Sequence, residues 1–341
     1  MSALPEFQLM HPATATDAVR MRALHPGSRY LAGGTDLLPN MRRGLVATEV
    51  VIDLGGIEEL TDLHEEAGAL YIGAGVTLAT LAAHKTVQDR LPALAQAAIS
   101  VAGPTHRIAA TLGGNLCLET RCRFYNQSES WRNANDYCMK LGSDTCRVAT
   151  KSARCYAAFS GDIAPALMVL DAEVELLGPL GTRVLPIAAF YRDDGMAWLA
   201  MAPDELLVAV RVPLKNGWVS AYEKVRVRGA IDFPLAGVAV ALRREGDAIA
   251  DLRIALTGVS SRPEVVGGLE GLAGHPLDDT AMAIIARQIK LGIRAMDTTL
   301  IEVPFRRRIT PVLAKRLVER LWGMAGYFSS TATQPTRRQP R

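Results

Sequence analysis

The chain has 341 residues, more than one ordinary hydrophobic core serves, so two or three packed domains are expected. Hydrophobic residues make up 49% and charged residues 21%, which excludes general disorder; 38 basic against 35 acidic side chains leave a formal charge of +3, too weak a field to gather nucleic acid. No apolar run approaches the roughly 18 residues of a membrane-spanning helix, and the opening segment, with Glu6, Asp17 and Arg20, lacks the apolar core of a secretion signal, so a cytoplasmic protein with neither nucleic acid nor membrane as partner is expected.

In chain order, residues 16–24 read as a helix and residues 29–32 and 49–53 as strands. Between the strands stands Gly33-Gly34-Thr35-Asp36, a turn running into a helical segment at 37–42. Free backbone N–H groups at such a start, on glycines without Cβ, suit a pyrophosphate. A second α/β unit follows: a strand at 70–73, the turn Gly75-Val76-Thr77, helices at 78–84 and 91–101, and a second glycine turn, Thr111-Leu112-Gly113-Gly114-Asn115. Apolar Ala172, Val174 and Leu176 alternate with Glu173 and Glu175 as in a half-buried strand, and another strand is expected at 206–212. Beyond residue 218 the pattern changes to strands at 222–228, 237–242 and 253–259, then helices at 282–296 and 311–321, the order of a separate α+β domain. The tail at 329–341 has no apolar period and is expected to be disordered.

All five cysteines, Cys117, Cys122, Cys138, Cys146 and Cys155, fall in one short stretch. In a reducing compartment a disulfide framework is not expected. Residues 121–154 hold too few apolar side chains for a core, so ligand thiolates are favoured over buried small hydrophobes. Both zinc and an iron-sulfur cluster accept four cysteines. The last four, separated by fifteen, seven and eight residues, lack the close knuckles of structural zinc sites, which leans toward the larger cluster. Cys117, inside the apolar run Leu116-Cys117-Leu118, is expected to be buried or near the ligand of the glycine turns. The six histidines show no metal-ligand spacing, and Arg306 to Arg308 read as a solvated helix start.

Taken together, A-G-G-T-D at 32–36, T-L-G-G-N-L at 111–116, S-G-D-I-A-P-A-L at 160–167 and Y-E-K-V-R-V-R-G-A-I-D-F-P at 222–234 resemble the FAD-binding subunits of the xanthine dehydrogenase, or molybdenum hydroxylase, family over roughly residues 5 to 325. The resemblance implies an α+β chain: a two-part FAD-binding α/β domain of the PCMH type (1–60, then 61–217 carrying an insertion at 118–158), and a smaller C-terminal α+β domain of the CO dehydrogenase flavoprotein type (218–328). It implies FAD contacts from Leu31, Ala32, Gly33, Gly34, Thr35, Asp36, Thr77, Val101, Thr111, Gly114, Asn115, Asp162 and Leu207, with Lys224 near the flavin ring. Pro304-Phe305-Arg306 departs from the sequence common at that place in relatives.

The insertion between Asn115 and Asp162 looks like that of the beta subunits of 4-hydroxybenzoyl-CoA reductases. That likeness implies a [4Fe-4S] cluster on Cys122, Cys138, Cys146 and Cys155, a molybdopterin-containing large subunit, a small [2Fe-2S] subunit, and ferredoxin as electron donor for reductive removal of a ring hydroxyl on the partner subunit. Alternatives are an FAD subunit of another molybdenum hydroxylase with outward electron flow, a self-sufficient flavin reductase, and an assembly subunit stabilised by zinc.

Overall fold

The computed structural model describes residues 3–331, with side chains to residue 325. Three sheets organise the chain. The first is small and parallel, in the order β1-β3-β2, from β1 (Gln8–Met10), β2 (Arg29–Leu31) and β3 (Val50–Asp53), with α1 (Ala15–Leu24) and α2 (Leu37–Arg42) as its crossovers. Thr14 opens α1 by accepting from the Asp17 N–H, satisfying one of the free donors of the first turn. Ala15, Val19, Ile52, Ile57 and Leu60 pack this unit on Leu206 and Val208 of the next sheet.

The second sheet is antiparallel and runs β4-β5-β8-β6-β7, from β4 (Leu63–Glu66), β5 (Ala69–Gly73), β6 (Glu173–Gly178), β7 (Gly181–Pro186) and β8 (Leu206–Pro213). The sequence reads residues 70–115 as an α/β unit with further strands at 172–176 and 206–212; in the fold these strands pair antiparallel throughout. Those helices are α3 (Leu78–Ala83), α4 (Lys85–Arg90), α5 (Pro92–Ser100), α6 (Pro104–Arg107) and α7 (Leu112–Leu116); after the insertion, which contains α8 (Glu129–Ala134), comes α9 (Ile163–Val169), every residue of it buried. They form the largest core, which also takes in Phe159, Tyr191 and Tyr222.

The third sheet, β12-β11-β10-β9, is built from β9 (Trp218–Val225), β10 (Ala236–Glu245), β11 (Ala248–Thr257) and β12 (Glu264–Val265), and is covered by α10 (Asp279–Gly292) and α11 (Val303–Thr331). Its own core joins Val238, Val240 and Leu256 to Ile285, Ile289 and Leu317. Strands followed by helices, as expected, make this an α+β unit. No helix among the described residues is long and apolar enough to cross a membrane.

Three expectations at the C-terminal end need correction. Pro311 does not begin the last helix; it lies inside α11, which starts at Val303 with Pro304 in its first turn, where a missing N–H costs nothing. Arg306 is not solvated but fully buried, donating to the carbonyls of Gly258 (3.1 Å) and Met296. The tail is helical as far as Thr331, and the remainder lies outside the described residues.

Candidate functional site

The two glycine segments meet, although the second, expected as a turn, is the capped start of the short helix α7. Gly33 packs so closely on the segment before the second turn that a Cβ there would stand 1.8 Å from the Ala109 carbonyl oxygen, so only glycine fits. Gly34 takes a positive φ of 68°. Thr77 bridges to Thr111, and Leu78 N–H donates to Ala110 O, which brings the α3 start to the same place. Thr77 and Thr111 both cap their helices with side-chain oxygens. Among the described residues the N–H groups of Gly33, Gly34 and Thr35 have no acceptor, and Gly114 is exposed although its neighbours Gly113 and Asn115 are buried. Backbone donors left free beside an open glycine surface fit a pyrophosphate-bearing ligand. Leu31 and Ala32 flank the turn, half-buried.

Asn115 carries the site toward the third motif, its Oδ1 accepting from the Ile163 N–H at 3.2 Å. Asp162 beside it is buried, and its carboxylate is fully engaged within the protein. Oδ1 accepts from the Tyr222 hydroxyl at 2.6 Å and lies 2.9 Å from Lys224 Nζ; Oδ2 accepts from Nζ at 3.1 Å. Lys224 also donates to Asp232 O at 3.1 Å. The structure therefore brings Asp162 and Lys224 together as a pair joining α9 to β9. Burial pushes the Tyr222 hydroxyl well above its ordinary pKa, with the Asp162 charge adding to the effect, so it stays a donor. Val101 ends α5, half-buried, its carbonyl accepting from Arg107 at 2.8 Å. Leu207 is a buried core residue on β8.

The insertion closes on itself through paired bonds between Arg121 and Ala158, each N–H to the other's carbonyl at 2.7 Å. It is tied to every neighbour. Arg132, 1% exposed, donates to Gln127 O and to the Gly44 carbonyl beyond α2. Arg123 pairs with Asp297 at 2.7 Å and Arg154 with Asp193 at 2.8 Å. Arg121 reaches back to the first turn, where it pairs with Asp36, donates to Asn40 Oδ1 and lies over the Phe233 ring at 5.0 Å. Sequence reasoning passed over Arg121, although its place directly before Cys122 was a usable signal.

Cys122, Cys138, Cys146 and Cys155 are buried, unpaired, and line one small cavity together with Phe124, Tyr125, Met139 and Lys140. Burial pushes the Cys122 and Cys155 thiols up to about 11, and ionisation of neighbouring cysteines in the group opposes theirs. Backbone N–H groups counteract this: Phe124 and Tyr125 toward Cys122, Lys140 and Leu141 toward Cys138, and Ala157 toward Cys155 at 3.4 Å. Donors aimed at sulfur suit thiolate ligands. The expectation that this stretch has no core is corrected in part, since Cys122, Cys138 and Cys155 form a small apolar cluster with Leu45, Tyr125 and Ala157. Among the described residues no three His, Cys, Asp or Glu side chains stand as a single-ion metal site. Cys117 lies outside the cavity, and packing pushes its thiol up to about 12.

Two converging glycine segments with free backbone donors, beside a separate four-stranded α+β unit, have the make-up of a dinucleotide-binding protein. Residues 5–215 match the family model of the FAD binding domain in molybdopterin dehydrogenase, and residues 220–321 that of the CO dehydrogenase flavoprotein C-terminal domain. The chain belongs to this family: it is an FAD-binding flavoprotein subunit of the xanthine dehydrogenase and CO dehydrogenase type. It is 36% identical over 251 residues to the aldehyde oxidoreductase FAD-binding subunit of Escherichia coli, covering 70% of this chain and 76% of that protein. The carbon monoxide dehydrogenase medium chain of Hydrogenophaga pseudoflava is 31% identical over 261 residues, 75% of this chain and 76% of that one. A solved structure of carbon monoxide dehydrogenase from the same organism matches with a TM-score of 0.78 at 26% identity, over 94% of this chain and 99% of the other.

Proposed function

We propose that the chain is the FAD and [4Fe-4S] subunit of an enzyme of the 4-hydroxybenzoyl-CoA reductase type, in the cytoplasm. It would carry electrons from ferredoxin toward a small [2Fe-2S] subunit and a molybdopterin-containing large subunit that removes the ring hydroxyl. One observation carries the reading: Cys122, Cys138, Cys146 and Cys155 face a single cavity in an insertion anchored, through Arg121 and Asp36, to the first glycine turn. FAD supplies one- and two-electron exchange when bound. The chain's own residues do the rest. Leu31 to Asp36 with Thr77, Thr111, Gly114 and Asn115 would hold the dinucleotide by backbone donors, and Val101 and Leu207 would bound its surroundings. Asp162 fixes Lys224, whose charge would favour the reduced flavin. The four thiols, close together and protected from solvent, would hold the cluster within the same rigid body.

A second reading keeps the flavin and reverses the flow, as in another molybdenum hydroxylase; the names of the relatives, an aldehyde oxidoreductase and a carbon monoxide dehydrogenase, favour it. Changing Cys138 to serine separates the two. On the proposed function the variant loses iron and ferredoxin-driven substrate reduction while FAD content stays near normal, because the glycine turns lie outside the insertion. Full ferredoxin-dependent activity in that variant would remove the cluster from the route.

A further inference from the structure

The thiol cavity contains a charge that the proposed function leaves unused. Lys140 lines it, two residues after Cys138, with a side chain only 6% exposed. Long lysine stems ordinarily carry the ammonium out to water. This one turns inward: it donates to Gly195 O at 2.6 Å and to Thr120 Oγ1, and its charge is paired with Glu119 at 2.5 Å. The rings of Trp198 and Tyr125 face it at 4.7 and 5.1 Å. Lys140 stands close enough to Cys138 and Cys155 for its charge to act on both thiols, whereas Glu119 lies outside the cavity's lining.

We propose that Lys140 and Glu119 form an oriented ion pair that sets the reduction potential of the iron-sulfur centre, Lys140 raising it and Glu119 holding that increase in check. This rests on the cluster reading above. Reduction adds one negative charge among the thiolates, a nearby cation stabilises the reduced form, and in a dry site the effect is large. The backbone N–H groups on the sulfurs act in the same direction but are fixed by the main chain. The ion pair is the element that side-chain chemistry can adjust. It would keep a centre crowded by four thiolates reducible by a biological donor.

The two partners must act with opposite sign, which a purely structural role would not produce. K140M keeps the apolar stem and removes the cation; E119Q keeps an acceptor for Lys140 and removes the anion. The measurement is a redox titration of the anaerobically purified complex, following the reduced cluster by electron paramagnetic resonance, with iron and sulfide assayed on each sample. At the potential where the wild-type centre is half reduced, the reduced-to-oxidised ratio should fall about tenfold in K140M, a midpoint about 59 mV more negative for one electron. In E119Q it should rise. Iron retained in both variants with midpoints unmoved, or moved the same way, overturns the proposal while leaving the cluster in place. Should K140M lose its iron, E119Q alone decides, and a midpoint that stays or falls overturns the proposal. Wild-type protein without iron instead removes the cluster reading beneath it.

Discussion

Replacing Lys224 with methionine should destabilise the chain strongly, and replacing Asp162 as well should restore much of the loss. Nζ lies 2.9 and 3.1 Å from the two carboxylate oxygens, with side-chain exposures of 3% and 5%. At such a separation and an effective dielectric of about 20, the attraction is roughly 5 kcal/mol. Removing both charges from water costs a similar amount, so the pair as a whole adds little net stability, but stranding one partner costs about 3–5 kcal/mol. K224M should fall near the lower figure, because Tyr222 still donates to Asp162 at 2.6 Å. D162A should approach the upper one, since only the Asp232 carbonyl then remains to Lys224. Against a total stability of about 5–15 kcal/mol these are large losses. The double variant K224M/D162N keeps an acceptor for Tyr222 and strands no charge, so it should cost less than K224M alone. Guanidinium unfolding followed by tryptophan fluorescence, at fixed saturating FAD, measures all three. Single variants within about 0.5 kcal/mol of wild type, or a double variant that costs as much as K224M alone or more, would refute the reasoning.

Gly33→Ala should abolish FAD retention, because the new Cβ meets the Ala109 carbonyl and forces the two glycine turns apart; gel filtration and flavin absorbance check it, and normal FAD content would contradict the packing. Arg306→Met orphans the carbonyls of Gly258 and Met296, at about 1–3 kcal/mol each, and should lower the unfolding midpoint clearly. Cys117, its thiol pushed up to about 12, should resist iodoacetamide at pH 8 in the folded protein and react in denaturant; prompt labelling of the native chain would show that it is not protected.

Much of the site was legible because its chemistry is local. The glycine pair Gly33-Gly34 marks a turn, Gly113-Gly114 marks a close-packed helix start, and Cys122, Cys138, Cys146 and Cys155 stand out by composition as a group. What stayed hidden depends on distant partners. Nothing in the neighbourhood of Arg306 or Lys140 says that a cation there is buried, because the carbonyl of Gly258 and the carboxylate of Glu119 reach them only in the fold. Asp162 and Lys224 were each recognised, but that they answer one another follows from α9 packing on β10 and β11, with β9 paired beside β10. Strands β4 and β7 went unread because they are largely exposed with little apolar alternation, and the antiparallel pairing of β5, β6 and β8 depends on partners distant in sequence.

The central claim is that one chain holds both FAD and a four-cysteine cluster. The most direct measurement is the iron, acid-labile sulfide and FAD content of the anaerobically purified chain in its complex, corrected for the small subunit's centres. The account predicts one FAD, four iron and four sulfide for each copy of this chain. FAD with no iron or sulfide beyond the small subunit's share, or zinc in place of iron, would contradict it.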